Sequence, residues 1–425
     1  KELNMRGKVY PENGSVVIVD DQIEEALPLM KVLSKTGISF KYFSGKAEEL
    51  PGVPFDNVRI VFLDIELEGM QGVTADKTKL PTLANVISKI ISTKCQPYVI
   101  IAWTKHQELV KDLKKSLKEI PPLFTLCIEK SECKVNGSDG FDIKKISDKL
   151  IKKVNEFGSF KFFLKWQNIS NRSSGKIINE ISSIYPFDDN WNNNTNNLLV
   201  KLAEAYAGKQ VDKDSVWKYA MLSFNSLFLD IIENEIFADT FDVEKNMDLS
   251  QQQNLDDKNI VGEINRRLHI SIEDNNKPVP GNVYSSIKNI CLGKENLIES
   301  TFNGDISQFQ ERESFIQESE IIHLEVSPFC DYAQNKWKRN RILSGVKWPE
   351  KYENNLKKAD YIYKTPLFRI DNNLYYFVFD IRLLNSIEIE KLNDVTSTVR
   401  IRKELLNDIQ TKIAVHINRL GITSL

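Results

Sequence analysis

What this 425-residue chain lacks narrows its class before any motif does. It has five cysteines at scattered positions, with none of the spacing that builds a disulfide framework, so a reducing compartment is expected. Neither sign of charge dominates. The formal net charge is −2, and no global field draws the chain to nucleic acid or membrane, although a local basic patch remains compatible with it. No apolar run approaches the roughly 20 residues of a membrane span, and no secretory segment is visible. Internal repeats are absent, as is low complexity beyond one asparagine run. What is present is ordinary for a soluble globular protein: 41% hydrophobic and 27% charged residues, at a length that allows two or three domains.

The informative stretch is Ser15-Val-Val-Ile-Val-Asp-Asp21, a β-branched run ending in two adjacent carboxylates. Bounded by turn residues, it reads as a buried parallel strand. Three similar runs follow, each with polar residues at its C-terminal end. Val58–Leu63 leads into Asp64, Tyr98–Trp103 into Thr104, and Leu123–Ile128 into Glu129 and Lys130. Helical spacing lies between them, at Ile23–Thr36, Leu83–Thr93 and Gln107–Leu117, with Phe141–Phe157 closing the region. Strand alternating with helix predicts a doubly wound parallel sheet, and such sheets place ligands at the C-terminal ends of their strands. Three carboxylates gathered there would repel one another unless a hard cation sat among them. Oxygen ligands of this kind suit Mg²⁺. With a hydroxyl and an ammonium nearby, the edge reads as a place where an aspartate accepts a phosphoryl group.

Asp20, Asp21, Asp64, Thr104 and Lys130, in that order at the ends of four strands, resemble the signature of two-component response-regulator receiver domains. The resemblance covers roughly residues 10–156. It implies that Asp20 and Asp21 hold Mg²⁺ together with Asp64, the phosphoacceptor, and that Glu66 adds a backbone carbonyl to the metal. It further implies that Thr104 is the switch hydroxyl, that Lys130 pairs with the phosphoryl oxygens, that the donor is a sensor histidine kinase, and that the setting is a bacterial cytoplasm. The chain departs from the family at Ser131, where a proline is usual, and at Ile128, where many receivers carry Tyr or Phe. Its Asp64-to-Thr104 stretch is also long, the excess lying in the polar segment 66–83. Pro28 falls inside the first predicted helix, where a lost donor should kink it.

The remainder is expected to hold a helical middle region, 158–280, and a mixed α/β output domain, 281–425, after a receiver spanning 1–157. The asparagine-dense segment Asn190–Asn197 reads as a loop near a boundary. Leu198–Ala207 reads as a helix, and Ser215–Ala238 as one buried on several sides, with a homodimer through this region as the rival reading. Beyond it, Tyr284–Cys291 reads as helical, Ile321–Val326, Pro366–Ile370 and Leu374–Phe379 as strands, and Arg400–Leu420 as a closing helix with Gly421 at its cap.

One stretch of the output domain draws chemical interest. His323, Glu325, Cys330 and Asp331 could supply a nucleophilic thiol or a metal-ligand set, against the plainer reading of a solvated strand face. Lys336, Lys338, Arg339, Arg341 and Lys347, interleaved with Trp337 and Trp348, suit phosphate or nucleic-acid contacts, against a solvated helix whose tryptophans pack inward. The stretch around Ser327-Pro-Phe-Cys-Asp-Tyr-Ala-Gln334 also resembles a motif of C-terminal domains in bacterial defence-associated proteins, which implies an anti-phage setting and no mechanism. The expected function is a response regulator that switches or buffers an output. The alternatives are a phosphorylation-regulated effector enzyme using the Cys330/Asp331 region and a DNA-binding regulator.

Overall fold

A computed structural model describes residues 15–67, 76–103, 107–129, 155–208, 213–238, 257–275, 278–285, 293–333, 337–392 and 395–418, with isolated positions between them. The described residues divide into two compact units, one through Arg172 and one from Ser173 onward.

The first unit is built on a five-stranded, all-parallel sheet. Its elements alternate as β1 (Val16–Val19), α1 (Ile23–Lys35), β2 (Phe40–Phe43), β3 (Ile60–Asp64), α2 (Asp76–Ile90), β4 (Val99–Trp103), α3 (Gln107–Ser116) and β5 (Thr125–Ile128). The strand order is β2-β1-β3-β4-β5, one of the two common doubly wound orders, so the fold class read from the strand runs is the one found. Both faces of the sheet are covered, which is why the central strands β1, β3 and β4 are apolar up to Asp64 at the end of β3. Val17, Val19, Val61, Leu63, Ile100 and Ala102 pack under Leu83, Ile87 and Ile90 of α2 and Val110 and Leu113 of α3. Val16, Ile18, Phe62 and Ile101 pack under Ala26, Leu29 and Leu33 of α1. Each fully buried aliphatic side chain contributes roughly 1.5–3 kcal/mol. Helix α1 carries Glu24 and Glu25 in its first turn and Lys35 in its last, as the helix dipole favours. It runs unbroken past Pro28 and closes at Gly37, whose φ of 73° lets Ile38 N–H reach the Leu33 carbonyl. Helix α4 (Gly158–Ser182) begins in this unit, where Phe160 packs on Val99 and Phe124.

The second unit contains α5 (Trp191–Ala207) and α6 (Val216–Ala238), which pack together and are tied to α4 by an ion pair of Lys176 with Glu235. It continues with α7 (Lys258–His269), β6 (Ile270–Asn275), β7 (Asn282–Tyr284), α8 (Lys294–Thr301), α9 (Arg312–Glu318), β8 (Glu320–Glu325) and α10 (Phe329–Ala333). After these come β9 (Arg339–Pro349), β10 (Ile362–Lys364), β11 (Phe368–Ile370), β12 (Asn373–Glu388), β13 (Ser397–Ile401) and α11 (Lys403–Ile417). The strands form an eight-stranded antiparallel sheet in the order β10-β12-β9-β8-β7-β13-β6, with β11 also paired to β12. The β11–β12 hairpin turns on Asp371 and Asn372, both at positive φ, as a two-residue type I′ loop requires. Gly345 sits where a Cβ would lie 2.4 Å from the Val378 carbonyl oxygen and 2.5 Å from the Phe379 ring, so only glycine lets β9 and β12 approach.

Several sequence expectations fail here, each for a physical reason. Asn192–Asn197 are helical, within α5. Packing on α6 overrides their weak propensity, and the Trp191 indole donates to the Ser182 carbonyl. Helix α6 is not buried on several sides. Trp217, Met221, Leu229 and Phe237 are exposed, whereas Ala220 and Ile232 are buried. Tyr284 ends a strand instead of starting a helix, and strand β6 joins the C-terminal sheet from before residue 281. The basic stretch at 339–341 starts strand β9, not a helix, because each of these residues pairs with β12. Much of the predicted helix 141–157 lies outside the described residues, but Lys144, Lys145, Asp148, Lys152 and Asn155 within it are helical; Gly421 lies outside them. Among the described residues no helix is long and apolar enough to cross a membrane.

Candidate functional site

The C-terminal ends of β1 and β3 bring three carboxylates together. Ligand oxygens of Asp20, Asp21 and Asp64 all lie within 4.8 Å of one another, with Asp20 and Asp64 buried and Asp21 half-buried. The strand register dictates this. Val19 lies beside Leu63 in adjacent parallel strands, so the residues that follow them emerge at one edge. Local hydrogen bonds fix two of the carboxylates. Asp20 Oδ1 accepts from Gln22 N–H at 3.0 Å, and Asp64 Oδ1 accepts from Glu66 N–H at 3.0 Å.

At a separation near 5 Å and an effective dielectric of about 20, each pair of these charges repels by roughly 3 kcal/mol. A set made wholly of carboxylate oxygens at this spacing fits a hard cation, and among the described residues it is the one cluster of three or more candidate ligands. Tyr42, a neighbour that strand periodicity does not reveal, donates its hydroxyl to the Asp20 carbonyl at 2.7 Å. Burial, and then the negative charge of Asp20, raises the Tyr42 pKa above its ordinary value. The charged neighbours that act on Tyr42, namely Asp20, Glu49, Asp21 and Glu24, are all negative.

The edge continues across the sheet, since Asp64 pairs with Trp103 and Trp103 with Ile128. Thr104 and Lys130 themselves lie outside the described residues. Glu66 stands at the site with an exposed side chain.

In the second unit, His323 and Glu325 are buried, which overturns the solvated-face reading. They share one face of β8 at i and i+2. His323 Nδ1 lies 3.1 Å from Ser344 Oγ, its partner across β9. Burial pushes the His323 pKa down to about 4, so the ring is neutral. Glu325 Oε1 accepts from Ser327 Oγ at 2.5 Å, from Ser327 N–H at 3.1 Å and from Arg341 N–H at 3.1 Å. Burial nonetheless pushes the Glu325 pKa up to about 7. Two residues that the sequence reading did not single out, Ser327 and Ser344, are therefore what satisfy these groups.

His323, Glu325 and Asp331 do not form a ligand cluster. The Cys330 side chain and Lys336 lie outside the described residues. Trp348 is fully buried and donates to the Tyr352 carbonyl, and Lys347 pairs with Glu320 and covers the Tyr375 ring. Among the described residues the basic patch thus contracts to Lys338, Arg339 and Arg341. Comparison with known proteins adds nothing to this geometry: no family model matches the chain, and no curated protein does.

Proposed function

We propose that the first unit is the phosphoacceptor receiver of a two-component relay, taking a phosphoryl group on Asp64 from a sensor histidine kinase. The observation that carries this reading is the Asp20–Asp21–Asp64 cluster at the C-terminal edge of a parallel sheet ordered β2-β1-β3-β4-β5. Asp20, Asp21 and Asp64, with the Glu66 carbonyl, would hold Mg²⁺, whose charge offsets that on the transferring phosphoryl oxygens.

The protein's own residues then do the following. An Asp64 carboxylate oxygen attacks phosphorus. The P–O bond to Asp64 forms as the P–N bond to the kinase imidazole breaks, and the imidazole leaves with the electron pair and takes up a proton. The Glu66 N–H bond to Asp64 Oδ1 holds the acceptor in one rotamer throughout. Thr104 and Lys130, which follow β4 and β5, take the new phosphoryl oxygens, and the change in that edge alters the surface offered to the output. On this reading the chain is a switch, or a buffer that competes for the kinase, in a bacterial cytoplasm.

Intact mass after incubation with acetyl phosphate and Mg²⁺ tests this directly. One phosphoryl adduct on the wild type and none on Asp64→Asn is expected. No adduct on either protein, with no beryllofluoride binding, would remove the receiver reading.

A second reading, an effector enzyme under phosphorylation control, is favoured by one observation. Glu325 holds a pKa of about 7 beside the Ser327 hydroxyl, the range that suits acid–base work. Asp331→Ala that spares the adduct but removes an output activity would support it, and an unchanged output would not.

A further inference from the structure

Outside the acidic edge, the second unit contains a cavity of about 260 Å³ between the Ser327 loop, α10 and the β9–β12 ladder. Its chemistry is the reverse of the acidic edge. Lys338, Arg339 and Arg341 line it together with one carboxylate, Asp331. The floor carries the hydroxyl of Ser327, a residue that is 1% exposed.

Strand pairing builds this arrangement. Arg339 and Arg341 sit at i and i+2 on β9, and Arg341 lies across from Ser386 of β12. Arg339 Nε and Nη2 donate to Ser386 Oγ and O, both at 2.9 Å. Those bonds fix the guanidinium plane at the rim, and among the described residues Nη1 makes no hydrogen bond. Arg341 Nη2 stands 3.6 Å from Asp331 Oδ2, an ion pair too long to be a hydrogen bond and open to exchange for a better acceptor. The independent sign is Trp337. Its indole Nε1 is buried and has no hydrogen-bond partner among the described residues, although the residue lines the cavity and its ring meets Tyr332 edge-on at 5.2 Å. A buried donor left unmade costs about 1–3 kcal/mol, and a ligand oxygen in the cavity would satisfy it.

We propose that this cavity binds a terminal phosphate group, held by Arg339 and Arg341, with Lys338 as a further charge and Trp337 Nε1 as a neutral donor. Three cations against one carboxylate match the charge of about −1.5 to −2 on a phosphate monoester at neutral pH better than the single charge of a carboxylate ligand. The volume suits a phosphoryl group and its ester bond; sites that bury a whole drug-sized ligand run from about 300 to 1,000 Å³. The assignment is independent of the receiver reading.

The test is calorimetric titration of the full chain in metal-free buffer with inorganic phosphate, AMP, acetate and a 5′-hydroxyl oligonucleotide. Saturable binding of phosphate and AMP is expected. It should weaken roughly tenfold or more in Arg339→Lys/Arg341→Gln, which removes the planar forks while keeping long side chains. Trp337→Phe should weaken it several-fold without loss of fold. Asp64→Asn should leave it unchanged, which separates this site from the acidic edge. AMP binding more tightly than phosphate would assign the group to a nucleotide, and equal affinity would assign it to the bare phosphoryl group. The proposal is overturned by any of three results: acetate binding as tightly as phosphate, the oligonucleotide binding more tightly than AMP, or the arginine variant binding like wild type.

Discussion

Two buried carboxylate neighbourhoods set the halves of this molecule apart. At the edge of the first sheet, Asp20 and Asp64 are 2% and 7% exposed and stand with Asp21 in a cluster of like charges. At the end of β8, Glu325 is 0% exposed and stands among donors. Burial makes the same demand of each, since a charge out of water must be compensated or given up. The cluster gathers like charges at the edge of the sheet, a set that could hold a metal ion. Glu325 resolves its problem by holding a proton to about pH 7, while the Ser327 and Arg341 donors and the Arg341 charge pull the other way. Exposure alone does not tell a candidate cation site from a proton site. The charge of the nearest neighbours does.

The sharpest way to break that comparison is to delete each carboxylate in turn. Glu325→Ala leaves Ser327 N–H and Arg341 N–H without their acceptor and opens a cavity, so it should cost about 4 kcal/mol. Hydrogen exchange should show the loss in β8 and β9 and leave β1 and β3 protected as before. Asp21→Ala, at a half-buried carboxylate among like charges, should cost the first sheet less in metal-free buffer. Equal destabilisation by the two substitutions would mean that protein donors satisfy both carboxylates and that the contrast is false.

How far the sequence discloses these sites follows from how local their causes are. The first sheet was legible because Val16–Val19, residues 60–63 and Val99–Trp103 are short apolar runs bounded by polar residues, the pattern of a strand buried on both faces. Its acidic edge was legible with it, because a parallel strand's end is fixed by the end of its run. Tyr42 escaped because its bond to Asp20 crosses from β2. In the second unit the causes are distant. His323 depends on Ser344, and Glu325 on Arg341, each supplied by a strand pairing that no spacing announces. Asn192–Asn197 and the exposed apolar face of α6 misled for the opposite reason, since composition there argued for a loop and for burial while packing between helices decided otherwise.

A pH series sharpens the comparison within the second unit. Glu325 has a folded pKa of about 7 against 4.5 for the free side chain. Between those values the folded state holds more protons than the unfolded one, and stability falls as pH rises. His323 runs the other way. With a folded pKa of about 4 against 6.5, the unfolded state holds more protons in that window, and stability rises with pH. The two slopes oppose each other across the shared interval, leaving the wild type nearly flat there. Glu325→Gln removes the falling limb and keeps an acceptor for Ser327. The variant should therefore gain about 1.4 kcal/mol per pH unit through that interval, or roughly 3 kcal/mol in all. Urea midpoints read by exchange of β8 amides check it, and a profile parallel to wild type would show that Glu325 is ionised in the fold.

The smallest expected effect bears on the acidic edge, and its sign is more telling than its size. Asp21 is only half-buried, so solvent screens its repulsion with Asp20 and Asp64, and Asp21→Asn in chelator should stabilise the first sheet by about 1 kcal/mol at most. Adding Mg²⁺ at about ten times its dissociation constant should stabilise the wild type by roughly 1.4 kcal/mol through linkage. The variant, one charged ligand short, should gain less. The order of stability then inverts between the two buffers, with Asp21→Asn ahead in chelator and the wild type ahead in Mg²⁺, as read by exchange of Val16–Val19 and Ile60–Asp64. A general loss of packing would place the variant below wild type in both buffers, and simple charge screening would place it level with wild type in Mg²⁺. Only a cluster that repels itself until a cation arrives makes the curves cross.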